Sequence, residues 1–138
     1  MSETLRTRCA VVGLSPRSPF GRAKPVTEQP NTELVAVCDI LEEPARTVGE
    51  EYGIPWYTDY EEMLKQDDIE MVFIATPDAE HARQSIAALE SGIHVLCEKP
   101  MAISIEEVRA MLAAEEKSGC KLGINQVLRT NPRMVEAK

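Results

Sequence analysis

No stretch of this sequence approaches the roughly 18 uninterrupted apolar residues that a membrane-spanning helix needs. Met1 to Arg8 is polar and lacks the apolar core of a secretion signal. Cysteine is scarce and scattered: Cys9, Cys38, Cys97 and Cys120 form no C-x-x-C pair. Without an export signal they read as reduced thiols in a cytoplasmic protein, and Cys9, Cys38 and Cys97 lie in or beside apolar runs where a thiol acts as a small hydrophobe. Basic residues are in deficit, 15 against 23 acidic ones, giving a formal net charge of −8. A surface of that sign repels phosphate backbones and anionic headgroups, so neither nucleic acid nor membrane is an expected partner; a local pocket for one small anion stays compatible with it. No group of Cys, His and acidic residues has metal-ligand spacing, so no metal is expected. Internal repeats and low-complexity segments are also missing. What remains is 138 residues, 43% hydrophobic and 28% charged, which is one globular domain able to bury a core without disulfides or metals.

Short β-rich runs alternate with helical patterns along that length. Arg8–Gly13, Glu33–Asp39, Glu70–Thr76, Ile93–Cys97 and Lys121–Asn125 read as strands, with a further short piece near Trp56 and Tyr57. Near-continuous apolar runs, rather than strict alternation, mark parallel strands covered on both faces. Between them, Thr58 with Glu61 and Ser104 with Glu107 fit capping boxes at helix starts. Ile105, Val108, Met111 and Leu112 form one apolar stripe, and Ala79, Ala82, Ile86 and Leu89 another; Gly119 and Gly92 follow them as C-terminal stops. Leu14–Asn31, with Pro16, Pro19, Pro25 and Pro30, reads as one irregular stretch. The alternation predicts an α/β fold of the Rossmann type, a doubly wound parallel sheet in three layers.

In such sheets ligands bind beyond the carboxyl ends of the strands. That rule selects the loop after Gly13, Asp39, Thr76-Pro77, Glu98-Lys99-Pro100 and Asn125. Asp39 ends the second strand, where an acid can accept from the two hydroxyls of an adenosine ribose; an Asp opening a turn or capping the next helix is the competing reading. It follows Gly13 by 26 residues, somewhat longer than the usual ~20, and a long first loop absorbs the difference. Lys99, delivered beside Glu98 at a strand end, can donate to a substrate hydroxyl or exchange a proton with it; a solvated Lys-Glu pair in a turn is the alternative. His94, inside an apolar strand, reads as a core residue.

These motifs occur in a recognisable order. L-V-A-V-C-D (Leu34–Asp39), T-P-x-x-x-H (Thr76–His81), G-x-H-V followed by E-K-P (Gly92–Pro100) and Asn125-Gln126 together resemble the N-terminal domain of the glucose–fructose oxidoreductase/inositol dehydrogenase (Gfo/Idh/MocA) family. The resemblance covers about Cys9 to Lys138. It implies a Rossmann domain paired with a second α/β domain built on a large open sheet, and hydride transfer between NAD(P) and a hydroxyl carbon of a sugar or polyol. It implies further that Lys99 contacts the nicotinamide ribose and substrate as the catalytic group, that Thr76, Pro77 and Glu98 line the cofactor cleft, and that the Lys99-Pro100 bond is cis. His81 would border the same cleft, with a capping or packing role as the alternative.

The first loop departs from the family's G-x-G-x-x-G. It runs Gly13-Leu14-Ser15-Pro16-Arg17-Ser18-Pro19-Phe20-Gly21, keeping Gly13 and Gly21 and placing Ser15 and Ser18 near the missing glycines. Two prolines narrow the phosphate cradle and remove amide donors; Arg17, Arg22 and the serine hydroxyls are available to compensate. NAD is expected over NADP, because Asp39 repels a 2′-phosphate and its neighbour Ile40 offers no cation.

Residues 1–126 are expected to form the dinucleotide-binding domain and 127–138 the start of a connection, opening at Asn131-Pro132, to a substrate domain beyond this chain. Apolar surface near Val127, Met134 and Val135 predicts a homo-oligomer. Three readings stay open: a cofactor domain inactive without its catalytic partner, a non-catalytic nucleotide-binding or regulatory module, and a structural remnant whose altered glycine loop binds nothing.

Overall fold

The computed structural model of the chain describes residues 5–16 and 23–126, with 129 and 132. Six parallel strands form one sheet: β1 (Thr7–Val12), β2 (Thr32–Cys38), β3 (Trp56–Tyr57), β4 (Met71–Ile74), β5 (His94–Glu98) and β6 (Leu122–Asn125), in the order β3-β2-β1-β4-β5-β6. Helices α1 (Lys24–Thr27), α2 (Glu42–Tyr52), α3 (Tyr60–Leu64), α4 (His81–Glu90) and α5 (Ile105–Ser118) connect them. This is the doubly wound Rossmann order that the alternating runs predict.

Alternation along each strand divides the core in two. Ala10, Val12, Val72, Ile74, Val95 and Cys97 point to the face that α3, α4 and α5 cover with Met63, Leu89 and Ala114. Cys9, Val11, Val37 and Phe73 point to the other, against Val26 of α1 and Ala45 and Val48 of α2. Three layers follow directly, because a strand with apolar residues at successive positions must bury both faces. Gly49 of α2 leaves a notch for Trp56: a Cβ there would lie 2.6 Å from the indole Cδ1.

Several local expectations are corrected. Asp59, not Thr58, caps α3, and its carboxylate accepts from the Glu61 and Glu62 amides, since an ionised acceptor binds first-turn amides more strongly than a hydroxyl. Ser104 does cap α5 by accepting from the Glu107 amide, but the Glu107 carboxylate reaches the Ile103 amide rather than returning to Ser104. The stretch read as irregular contains the single turn α1, which Pro25 opens. In α5 the buried positions are Met111 and Ala114, while Ile105 and Leu112 are 63% and 49% exposed. Val127, Met134 and Val135 lie outside the described residues.

The four cysteines are free and buried. Burial first, then the nearby carboxylates of Asp39 and Asp59, pushes the Cys38 thiol from 9.0 up to about 12. Burial and Glu70 push Cys9 to about 11, and burial, against a partly offsetting hydrogen bond, does the same for Cys97. A raised value means that the folded chain holds these protons more tightly than the unfolded one. The linked stability is complete below pH 9.0 and lost as pH climbs toward 11–12. Ultraviolet thiolate absorbance at about pH 10 should therefore stay low in the native chain and rise on denaturation; equal absorbance in both states would contradict the burial argument.

Candidate functional site

The chain leaves β1 toward β2 and β3 on one side, then returns to β4 on the other, so a crevice opens over the carboxyl ends of β1, β2 and β4. A cleft of about 1170 Å³ occupies that place. Gly13 is central to it. The Gly13 amide donates to the Cys38 carbonyl at 2.9 Å, with φ at +85°. A Cβ there would lie 2.5 Å from the Ala75 carbonyl oxygen and 2.8 Å from the Thr76 nitrogen. Only glycine permits β1 to end this close to the turn after β4.

Asp39 leaves β2 at the same level. One of its carboxylate oxygens accepts from the Leu14 amide at 2.8 Å, and the other from the Leu41 amide at 3.0 Å. The carboxylate thus pins the start of the β1–α1 loop and opens the turn into α2, and its two oxygens keep capacity to accept further bonds. Both readings of Asp39, ribose acceptor and turn former, are compatible with one side chain. Ser15 lines the cleft beside it, as do Thr76 and Pro77 across the gap. Ser18 and Gly21 lie outside the described residues, together with Arg17 and Arg22.

Sequence reasoning missed a second set of lining residues. Tyr60, Gln84 and Arg83 reach the cleft from α3 and α4. The Tyr60 hydroxyl donates to the Gln84 carbonyl at 2.9 Å, and the Thr76 hydroxyl donates to Gln84 Oε1 at 2.6 Å. Burial, with Glu61 nearby, raises the Tyr60 phenol well above its ordinary value, so it stays a donor. Arg83 is the one cation among the described lining residues, and it is bridged to Glu80 and Glu61 at 2.9 Å each. Asp39, Glu43, Glu51, Asp59 and Glu80 make the surroundings acidic.

Glu98, Lys99 and Asn125 stand further along the same carboxyl edge, outside the lining of this cleft. Register pairs Glu98 with Asn125, whose Nδ2 donates to Glu98 Oε1 at 2.8 Å. Lys99 is exposed in the turn after β5, and the Lys99-Pro100 bond is cis, as the resemblance implies. His81 is 1% exposed and is not among the residues that line this cleft. His94 Nδ1 accepts from the Lys121 amide at the opposite end of β5. Among the described residues no three His, Cys, Asp or Glu side chains group to hold a metal ion, and no helix is long and apolar enough to cross a membrane.

The fold and these strand ends have counterparts among known proteins. The chain is 34% identical to the scyllo-inositol 2-dehydrogenase (NAD(+)) of Bacillus subtilis over 134 residues, which is 96% of this chain and 39% of that protein. The WlbA dehydrogenase of Chromobacterium violaceum, solved with NADH and UDP-GlcNAcA, superposes with a TM-score of 0.87 at 30% identity, over all of this chain and 40% of that one. GenD2 from gentamicin A biosynthesis, solved with NAD, gives 0.88 at 29% identity, over 99% and 39%. The chain therefore spans about two fifths of the length of these relatives. The Gfo/Idh/MocA family model, described as an oxidoreductase family with an NAD-binding Rossmann fold, matches residues 7–126, and the chain belongs to that family.

Proposed function

We propose that this chain is the dinucleotide-binding part of an oxidoreductase that moves a hydride between NAD and a CH–OH carbon of a sugar or polyol. The observation that carries the reading is Asp39: a carboxylate at the end of β2, facing a cleft where the glycine at β1 brings its loop against the turn after β4. Gly13 brings the start of the β1–α1 loop against the turn after β4, so Asp39, Ser15, Thr76 and Pro77 line one cleft at the strand ends where a dinucleotide would lie. Asp39 would hold the adenosine ribose; Gly13 and Ser15, with Ser18 and Gly21 further on, would hold the phosphates; Thr76 and Pro77 would form the facing wall. Lys99, with Glu98 and Asn125 beside it, would serve the reacting end, donating to the substrate hydroxyl or taking its proton. The bound nicotinamide supplies the hydride acceptor or donor.

Residues 1–126 would be the dinucleotide domain, and 127–138 would lead toward a substrate domain of the longer protein. The exposed apolar side chains of Ile103, Ile105 and Leu112 support self-association, and the buried free thiols support a cytoplasmic setting.

Titration of NAD and NADH into the purified chain tests the reading against a remnant that binds nothing. The acidic lining, in which the one cation among the described residues is already paired, favours NAD over NADP. Asp39→Ala should weaken NAD by roughly tenfold or more, the size expected on losing hydrogen bonds to a charged acceptor. NADP should lose less. Part of the loss is shared, because Asp39 also holds the Leu14 amide; an equal loss for both cofactors would leave Asp39 as a loop clamp alone.

A further inference from the structure

His81 is among the most deeply buried polar residues described, and both of its ring nitrogens meet acceptors. Nδ1 lies 2.7 Å from the Pro100 carbonyl oxygen and Nε2 lies 2.9 Å from the Thr76 carbonyl oxygen. A carbonyl oxygen only accepts. An imidazole carries an N–H in either tautomer, so the ring donates to one of these carbonyls and spans the gap to the other. The two carbonyls belong to different parts of the carboxyl edge. Thr76 is in the turn that walls the cleft, held also by Gln84 and through it by Tyr60. Pro100 follows Lys99 in the turn after β5.

We propose that His81 is a positioning residue: its buried ring, spanning the Thr76 and Pro100 carbonyls, ties the Thr76 wall of the cleft to the turn that presents Lys99. The inference rests on the reading of Lys99 as the group at the reacting end. Lys99 is exposed, whereas the carbonyl one residue on is held by a buried ring, so the turn's position is set from beneath. The neighbouring charged groups are Asp78 and Glu80 in the turn before α4, Arg83 within α4, Glu98 and Lys99 after β5, and Glu107 at the start of α5; β4 carries none. Arg83 is engaged with Glu80 and Glu61, Glu98 with Asn125, and Glu107 with the Ile103 amide, so the Thr76 and Pro100 carbonyl dipoles are the direct partners of the ring.

Two measurements test this. Long-range ¹H–¹⁵N spectra of the labelled chain, with His94→Asn used to assign the second ring, should show a His81 ring N–H in slow exchange with water; a freely exchanging ring N–H overturns the proposal. This reading needs no His81 variant to fold. Separately, NADH and ADP-ribose, which lacks the nicotinamide, are titrated into the wild-type chain, His81→Gln, His81→Phe and Lys99→Ala. His81→Phe should weaken NADH about tenfold, as Lys99→Ala does, and leave ADP-ribose within about twofold. His81→Gln, which keeps one donor, should fall between, and adding Lys99→Ala to His81→Phe should cost little more. Equal weakening of both ligands overturns the proposal in favour of plain structural support. Should the wild-type chain bind neither ligand, the functional reading falls. The carbonyl-carbon resonances of Thr76 and Pro100 then decide the tether: both must move in His81→Gln, and an unmoved Pro100 signal rejects it.

Discussion

Gly13→Ala is expected to lower the melting midpoint by roughly 10 °C or more, and Gly53→Ala by only a fraction of that. Both glycines have positive φ, +85° and +65°, so both substitutions carry the left-handed backbone cost of about 1–2 kcal/mol. They differ in what a Cβ would meet. At Gly53 nothing lies within 4 Å, whereas at Gly13 the Ala75 carbonyl oxygen is 2.5 Å away and the Thr76 nitrogen 2.8 Å. Those are backbone atoms bound into β4's exit, and the Ala75 amide is itself donating to Val12 at 2.9 Å, so the clash cannot be relieved by turning a side chain. Overpacking of this kind adds about 1–3 kcal/mol. The comparison isolates the close approach from the conformational term. Equal midpoints for the two variants would show that the end of β1 and the turn after β4 separate easily, and that Gly13 does not hold the two sides of the cleft together.

No turnover above background is expected when the purified chain is given NAD and a panel of sugars and polyols, even if NAD binds. Hydride transfer requires the substrate carbon to be held against the nicotinamide, and such positioning is worth about 7–11 kcal/mol of barrier. The described residues supply one wall: Asp39 and the Gly13 loop at one end, Lys99 at the other. The relatives that this chain matches are each about two and a half times its length, and the substrate wall is expected in the portion it does not span. Absorbance of NADH follows the assay directly. Steady turnover that disappears in Lys99→Ala would overturn this expectation and mean that the chain completes its own site, for instance as an oligomer.

β1, β4 and the second half of β2 were legible because they are buried on both faces, so apolar residues run on without a gap, whereas the half-buried edge strands β3 and β6 showed only as short apolar pieces. The ends of those strands were legible too, since the position of a polar residue after an apolar run is a matter of chain order alone. The inner face of α4 was harder. It buries His81, Gln84 and Ser85 beside Ala82, Ala88 and Leu89, and a search for apolar periodicity passes over polar residues whose partners come from distant segments. The network from Tyr60 through Gln84 to Thr76 is invisible for the same reason: its bonds span 24 and 8 residues. Ile105 and Leu112 fail in the opposite sense. They have the spacing of a buried stripe, but α5 turns Met111 and Ala114 inward instead, and periodicity does not say which of two apolar arcs meets the neighbour.

The strand order also has a consequence in time. β1 is the central strand, yet its two neighbours are made long after it: Cys9 pairs with Leu34 on one side and with Met71 on the other. At synthesis rates of about 5–20 residues per second, the second partner emerges roughly 3–12 s after the first residues of β1. Throughout that interval one edge of Cys9–Val12, the most completely buried segment of the finished sheet, has no partner from its own chain. The same arrangement that gives the crevice its place between β1 and β4 thus makes β1 the interior strand that waits longest for its second neighbour, 62 residues from Cys9 to Met71, and the one most in need of protection while it waits.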